Sequence, residues 1–325
     1  MKSSSHFPTV GILGAGQMAR MLIEAATRLN LEIKLLSKSS DESAALIANN
    51  VIVGDVNNYS DLSVFATETD VITFNLDEFP FENLKKLENE GQIFRPQIST
   101  LEQIGNLENV KKTLLNANLP FQDEVVNFER QLSVQAARSE HGQNVVYSVV
   151  QCKRIDEILD EVIAPAPNLS DAKASELQLI ALKISELFNI NGVFTIDFVD
   201  LGNDKFLISQ IKLGPTNSGH WTIDGAATSQ FENHLRAILN LPLGSPKLLA
   251  PVTVMVNVLG GQYLDMYKPF LHCMAHDPAL RIHLYGKEVK EGRKVGHVNI
   301  SGNDLNDLLE RAHHAADYLT GRITE

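Results

Sequence analysis

Apolar residues in the first hundred positions fall in short continuous runs, TVGILGAG, LEIKLLS, VIVGD and DVITFNL, with a helix-period stretch, QMARMLIEAATRLN, after the first. Short apolar runs of this kind are buried strands, and their alternation with 3.6-period segments predicts a parallel sheet covered by helices. The pattern pauses at Phe94-Arg95-Pro96, and Ser99 is expected to open a helix reaching about Asn118, ended by Leu119-Pro120. Residues 131–150, QLSVQAARSEHGQNVVYSVV, read as two strands meeting at His141-Gly142. A helix over 170–190 has Ser170 as its N-cap and gathers Leu177, Ile180, Ala181, Ile184, Leu187 and Phe188 into one core-facing stripe. The strands GVFTIDFV and KFLISQI flank Gly202-Asn203-Asp204, a second hairpin. After a helix at about 225–240, Leu241-Pro242-Leu243-Gly244-Ser245-Pro246 reads as a linker to a last unit of short strands and a terminal helix. No internal repeat or low-complexity tract interrupts the pattern.

Composition narrows the function classes. At 325 residues, 44% hydrophobic and 21% charged, the chain is an ordinary globular protein of two or three domains. Its net charge of −12 argues against nucleic acid or an anionic membrane as a partner, so an anionic ligand needs a local basic pocket. Cys152 and Cys273 have no framework spacing, no run is long and apolar enough to span a bilayer, and MKSSSHFPTV lacks the apolar core of a signal peptide. The expectation is a cytoplasmic protein with reduced thiols.

The first candidate chemistry is Gly14-Ala15-Gly16-Gln17-Met18-Ala19, between a strand and a helix. Glycines let the backbone approach an anion, and the helix N-terminus offers unpaired N–H groups. The same pattern fits a dinucleotide fingerprint, yet the second strand ends in Leu35-Leu36-Ser37-Lys38 with no acid for a ribose hydroxyl. Lys38 would suit a 2′-phosphate, which keeps an NADP-binding, oxidoreductase-like protein as an alternative. A tight turn with no ligand fits as well.

Several longer runs add specificity: GAGQMARML (14–22), NSGHWTIDGAATSQFENHLRAI (217–238), LPLG (241–244), MVNVLG (255–260) and YGKEVKEGRKVGHVNI (285–300). In order and over nearly the whole chain, they resemble the 5-(carboxyamino)imidazole ribonucleotide synthases of purine biosynthesis, members of the ATP-grasp superfamily. The resemblance implies an α/β protein with a Rossmann-like N-terminal domain (1–98), a truncated ATP-grasp α+β domain (99–245) and a small β-rich C-terminal domain (246–325), as a homodimer. It also implies a ligase that uses ATP, Mg²⁺ and bicarbonate to carboxylate the amine of aminoimidazole ribonucleotide. Such chemistry needs cover over the ATP phosphates, carboxylates for the metal and an anchor for the ribonucleotide phosphate.

Measured against that family, the ATP half departs. The family's lid subdomain, with a basic strand and a Gly-Gly-Tyr-Asp-Gly loop, belongs between the helix ending near Pro120 and a strand-helix pair beginning at Asp123-Glu124-Val125-Val126. Here Phe121-Gln122 joins the two directly. Glu124 and Val126 are left as a vestigial adenine edge. The family's two magnesium glutamates correspond to Asp197 and to Gln210, a neutral amide, with Lys212 where the family has alanine. Neutral residues also stand at Asn75, Gln131 and Gln151, and Asn106-Leu107-Glu108 reverses a charge. ATP and Mg²⁺, expected from the resemblance, thus have weakened sites.

The substrate half keeps its residues. By resemblance Tyr285, Lys287, Arg293 and Lys294 anchor the ribonucleotide phosphate, Gly16 and Gln17 face it from the first domain, and Asn217, Ser218 and His220 line the cleft. His220 and His297 could equally cap turns, and 287–294 could be a solvated hairpin. His272, Cys273 and His276 have ligand-like spacing but no matching second pair, which argues against zinc. The expectation is a pseudoenzyme-like homologue that binds a small ribonucleotide and has lost efficient ATP-dependent catalysis; an active synthase with a partner-supplied lid is the alternative.

Overall fold

The computed structural model describes residues 7–122, 124 and 126–324. It opens with β1 (Val10–Leu13), α1 (Gln17–Arg28), β2 (Ile33–Ser37), β3 (Val51–Val53), α2 (Tyr59–Thr67), β4 (Val71–Phe74), α3 (Phe81–Asn89) and β5 (Ile93–Phe94). These strands make one parallel sheet, ordered β3-β2-β1-β4-β5, as the alternating pattern predicts. One face packs Ile12 and Leu35 against Ala19 and Leu22 of α1, and the other packs Leu13, Leu36 and Ile72 under α2 and α3. Strand order reverses between β1 and β4, and the crevice beyond their carboxyl ends is where such sheets hold ligands.

α4 (Ile98–Gly105) and α5 (Leu107–Asn116) replace the single helix expected from Ser99. The break falls at Asn106, whose side-chain oxygen accepts the Asn109 N–H at 3.0 Å and starts α5. Asparagine competes with helix bonds in this way and is favoured as a cap.

β6 (Arg130–Arg138) and β7 (Asn144–Val146) form the predicted hairpin, but its second strand stops early. Val150 instead begins β8 (Val150–Ile155), also paired with β6, and β9 (Ile158–Ala164) follows. No strand begins at Glu124 or Val126, while Asp123 and Val125 lie outside the described residues. α6 (Asp171–Leu187) is capped by Ser170, whose hydroxyl accepts the Lys173 N–H. Its Leu177, Ala181 and Ile184 are buried, as is Phe188 just beyond, whereas Leu187 is 40% exposed and leaves the expected stripe. β10 (Gly192–Asp200) and β11 (Phe206–Leu213) pair antiparallel around the predicted turn, where Asn203 and Asp204 take positive φ.

The helix expected at about 225–240 is α8 (Gln230–Ile238), capped by Ser229, and it is preceded by a 3₁₀ turn at Asn217–Gly219 and the short α7 (Thr222–Gly225). The chain ends with β12 (Val252–Leu259), α9 (Tyr267–His276), β13 (Arg281–Leu284), β14 (Lys294–Gly302) and α10 (Leu305–Thr320). β12 pairs with both β9 and β14, so strands on either side of residue 246 share one antiparallel sheet, β11-β10-β6-β8-β9-β12-β14-β13.

Alternation gives the first strands of that sheet two unlike faces. Leu132, Val134, Phe194, Ile196 and Phe198 join the core under α6. The opposite face carries Ser133, Gln135, Thr195, Asp197, Gln210 and Lys212, paired in register as Thr195↔Gln135, Asp197↔Ser133 and Asp197↔Gln210.

Buried His234 on α8 ties the two sheets together. The Val193 N–H donates to its Nδ1 at 3.1 Å, which leaves Nε2 to carry the proton and face Thr73 Oγ1 of β4 at 2.8 Å. Burial pushes the His234 pKa down from 6.5 to about 4, so the neutral ring is the folded form. Between these values the unfolded chain binds the extra proton, so this contribution is complete above pH 6.5 and is lost as pH falls toward 4. Urea titrations should show unfolding free energy falling across that window, by about 3 kcal/mol from His234 alone. His234→Gln should flatten that part of the profile, and an unaltered profile in the variant would refute the tie.

Candidate functional site

A cleft of about 950 Å³ opens where the carboxyl ends of β1 and β4 meet the polar face of β10 and β11. Thr73 to Phe79 form the wall from the first domain, Gln210 to Ser218 form the floor, and Arg154 and Lys294 stand on the remaining side.

Three of the predicted substrate residues meet directly. Gln17, first residue of α1, donates through Nε2 to Asn217 Oδ1 at 2.6 Å, and Lys287 Nζ donates to Gln17 Oε1 at 2.7 Å. One amide therefore joins the glycine turn, the 3₁₀ turn and the C-terminal basic segment. Ser218 is buried beside this chain and accepts from Gln135 Nε2 at 3.1 Å. Its hydroxyl continues through Thr216 to Thr195, at 3.2 and 2.8 Å, as a row of small donors and acceptors along the floor.

The glycine turn is shaped by its own chain. Gly14 has φ +93°, and a Cβ there would lie 2.2 Å from the Asn75 carbonyl oxygen. A Cβ on Gly16 would lie 2.8 Å from Asn75 Oδ1, the atom that accepts the Ala19 N–H at 3.3 Å. Asn75 thus caps the α1 N-terminus from β4, a structural use for a residue the sequence marked only as a lost acid. Lys38 is exposed beyond β2 and does not line the cleft.

The basic segment divides. Lys294 lines the cleft, half-buried, and burial followed by the nearby charges of Lys287 and Arg154 pushes its pKa down to about 8. Lys287 is lowered by burial and then by Arg293. Arg293 itself is exposed and donates to the Glu288 carbonyl at 3.3 Å, outside the cleft lining.

His220 and Tyr285 lie behind the cleft in the core, both wholly inaccessible. His220 stacks on His297 at 4.8 Å between centroids, and His297 stacks on His283 at 4.5 Å. Tyr285 Oη sits 2.8 Å from His297 Nδ1, and His283 Nε2 sits 2.7 Å from Asp224 Oδ2. Burial, then neighbouring cations and rings, holds His220 and His297 well below the ordinary histidine range. His220 and His297 are therefore held uncharged, and neither they nor Tyr285 line the cleft.

At the expected metal position, Asp197 is already neutralised. Its Oδ2 accepts from Lys212 Nζ at 2.6 Å and its Oδ1 from the Ser133 hydroxyl. The facing Gln210 is an exposed amide. Among the described residues no group of three or more His, Cys, Asp or Glu side chains is arranged to hold a metal. The residues present therefore do not fit Mg²⁺, which needs oxygen ligands free of a competing ammonium. The substituted amides have arginine partners: Gln131 Oε1 accepts from Arg154 Nε at 2.9 Å, and Gln151 Oε1 from Arg130 Nη1 at 3.4 Å. Glu124 is exposed, and neither it nor Val126 lines the cleft.

Sequence patterns missed the aromatic wall. Phe74, Phe79 and Phe81 line the cleft, with ring centroids 5.4 and 5.7 Å apart in sequence order. Only the clustering of three Phe within eight residues could have flagged them. His272 and His276 face a separate hollow of about 550 Å³ with His314. Among the described residues no helix is long and apolar enough to cross a membrane.

Three family models match: a ribonucleotide synthetase preATP-grasp domain over residues 7–104, an ATP-grasp domain over 98–231, and a phosphoribosylaminoimidazole carboxylase C-terminal domain over 253–311. The N5-carboxyaminoimidazole ribonucleotide synthase of Mycobacterium bovis is 33% identical, covering 98% of this chain and 89% of its own. That of Aquifex aeolicus is 28% identical, covering 96% and 97%. Among solved structures, the synthase of Aspergillus clavatus with ADP and 5-aminoimidazole ribonucleotide superimposes with a TM-score of 0.88, at 26% identity, over 98% of this chain and 99% of that one. The Thermus thermophilus synthetase superimposes with a TM-score of 0.86 at 27% identity, over 97% and 99%. No oxidoreductase resemblance is needed to account for the glycine turn: with its preATP-grasp, ATP-grasp and carboxylase C-terminal regions in order, the chain belongs to the N5-carboxyaminoimidazole ribonucleotide synthase family of ATP-grasp proteins.

Proposed function

We propose that this chain is a purine-biosynthesis ligase homologue that binds aminoimidazole ribonucleotide, or a closely related ribonucleotide phosphate, and has lost efficient ATP-dependent carboxylation. The observation that carries the second half is the Lys212–Asp197 ion pair, with Gln210 opposite, where a metal would bridge to ATP phosphates. An ammonium at 2.6 Å both uses the carboxylate and repels a divalent cation.

The path of the chain supports the same reading. The alignment to the Mycobacterium bovis synthase runs over 383 positions, more than the 325 residues present here. After α5 the backbone turns at once onto β11, where the Gln122 N–H donates to the Ile208 carbonyl at 2.9 Å. A lid over the ATP phosphates has no segment to build it there. Transferring a γ-phosphoryl group depends on positioning and charge neutralisation, both of which this side of the cleft has exchanged for internal pairs.

The ribonucleotide half is supported by Lys294, Asn217 and Ser218 lining one cleft, by Gln17 and Lys287 hydrogen-bonded in line with Asn217, and by Phe74 and Phe79 as an apolar wall for a base. A lysine ammonium suits a phosphate, and the hydroxyls of Thr216 and Ser218 suit a ribose.

The purified protein should release no ADP that depends on aminoimidazole ribonucleotide and bicarbonate, measured by a coupled assay free of any other synthase. Turnover like that of a working ligase would overturn the proposal. Calorimetry should detect aminoimidazole ribonucleotide binding, weakened about tenfold by Lys287→Met through loss of one charge-assisted hydrogen bond. Metal affinity offers a gain-of-function check: the pair Gln210→Glu and Lys212→Ala should raise Mn²⁺ binding, followed by electron paramagnetic resonance, above an undetectable background. Equal Mn²⁺ binding before and after would remove the ion pair from the explanation.

A further inference from the structure

We propose that Lys294 is a site of reversible carbamylation by dissolved carbon dioxide. Three lysines stand at or beside the cleft, Lys212 and Lys294 in its lining and Lys287 next to them. Lys212 pairs with Asp197 at 2.6 Å, and Lys287 donates to the Gln17 amide at 2.7 Å. Lys294, at the first position of β14, faces the cleft and makes no side-chain hydrogen bond or ion pair among the described residues. A half-buried ammonium with no acceptor lacks what normally stabilises that charge.

Its surroundings make the charge still less favourable. Lys287 and Arg154 are the neighbouring cations, and the buried rings of His220 and His297 contribute no negative charge. The acids that reach the cleft are Asp77, Glu78 and Glu157, all exposed, while Asp197 is held by Lys212. Burial first, and then the charges of Lys287 and Arg154, bring the Lys294 pKa down to about 8, and a free amine is accessible near neutral pH.

The sign of the surrounding charge selects the electrophile. The Lys294 nitrogen lone pair attacks the carbon of CO₂ and forms an N–C bond. One C=O π pair moves onto oxygen, and the nitrogen releases a proton to solvent through the open cleft. The products are a carbamate anion and H⁺, with no oxidant, reductant or metal required. A cation among cations becomes an anion among cations, with Arg154 and Lys287 as its counter-ions. Arg154 is oriented for this by its Nε bond to Gln131 and its Nη1 bond to the Glu157 carbonyl.

This inference does not depend on ATP use or on ribonucleotide binding, and its test reads neither. The full chain is equilibrated with ¹³C-bicarbonate at about pH 8, near the amine's own pKa, and ¹³C NMR is recorded. Trapping with a trialkyloxonium salt and peptide mass mapping then locate the modified amine. The expected result is a carbamate carbon signal with the trapped group on Lys294, lost in Lys294→Arg. Inorganic phosphate, competing for Arg154 and Lys287, should diminish the signal in the unaltered protein, which decides the matter should the variant fail to fold. Absence of a signal, trapping on another lysine or the N-terminal amine, or indifference to phosphate would overturn the assignment.

Discussion

A carboxylate on a partly buried sheet face has to be neutralised, and the rest of the cleft is arranged around how Asp197 meets that demand. Its side chain shares a face with Ser133 and Gln210 because those residues are its cross-strand partners. In a metal-dependent site, a cation brought with the nucleotide would balance the charge. Here Lys212 does so permanently, two residues along the adjacent strand, and the network closes without a ligand. A carboxylate that is already paired gains less from binding a divalent cation than a free one does.

The other side of the cleft is left unsatisfied in a way that invites an anion. Lys287 has a neutral amide and the face of the Tyr285 ring as partners, Lys294 has no side-chain hydrogen bond or ion pair among the described residues, and burial lowers both ammonium pKa values. Gln17 holds this side together, since it receives from Lys287 and donates to Asn217 across three separate stretches of chain. His234 makes the corresponding tie deeper in the core, between β4 and β10. The polar contacts that span the domains thus also set the width of the cleft.

Much of this was legible in the sequence because it rests on periodicity and local chemistry. The parallel sheet, the Ser170 cap and the turn at Asn203-Asp204 follow from patterns a few residues long. The errors arose where tertiary contacts decide. Nothing local says that Asn106 breaks a helix in two, that Leu187 turns outward, or that β12 adds to β9 to make one sheet across the Pro-rich stretch. Asn75 shows the limit most clearly: read as a lost acid, it is the cap of a helix 56 residues earlier in the chain.

Burial also separates two meanings of a matched motif. His220 and Tyr285 lie in runs that resemble the family as closely as any, yet both are inaccessible and packed in an aromatic stack with His297. Both rings are held by packing, and neither lines the cleft. Gln17, Lys287 and Lys294 are different. Gln17 links Asn217 to Lys287, Lys294 makes no side-chain hydrogen bond or ion pair among the described residues, and a half-buried lysine costs more to hold than the apolar residue that could fill the space. Stability alone does not explain cations there, so these residues, rather than the more conspicuous histidine of Asn217-Ser218-Gly219-His220, carry the case for a ligand.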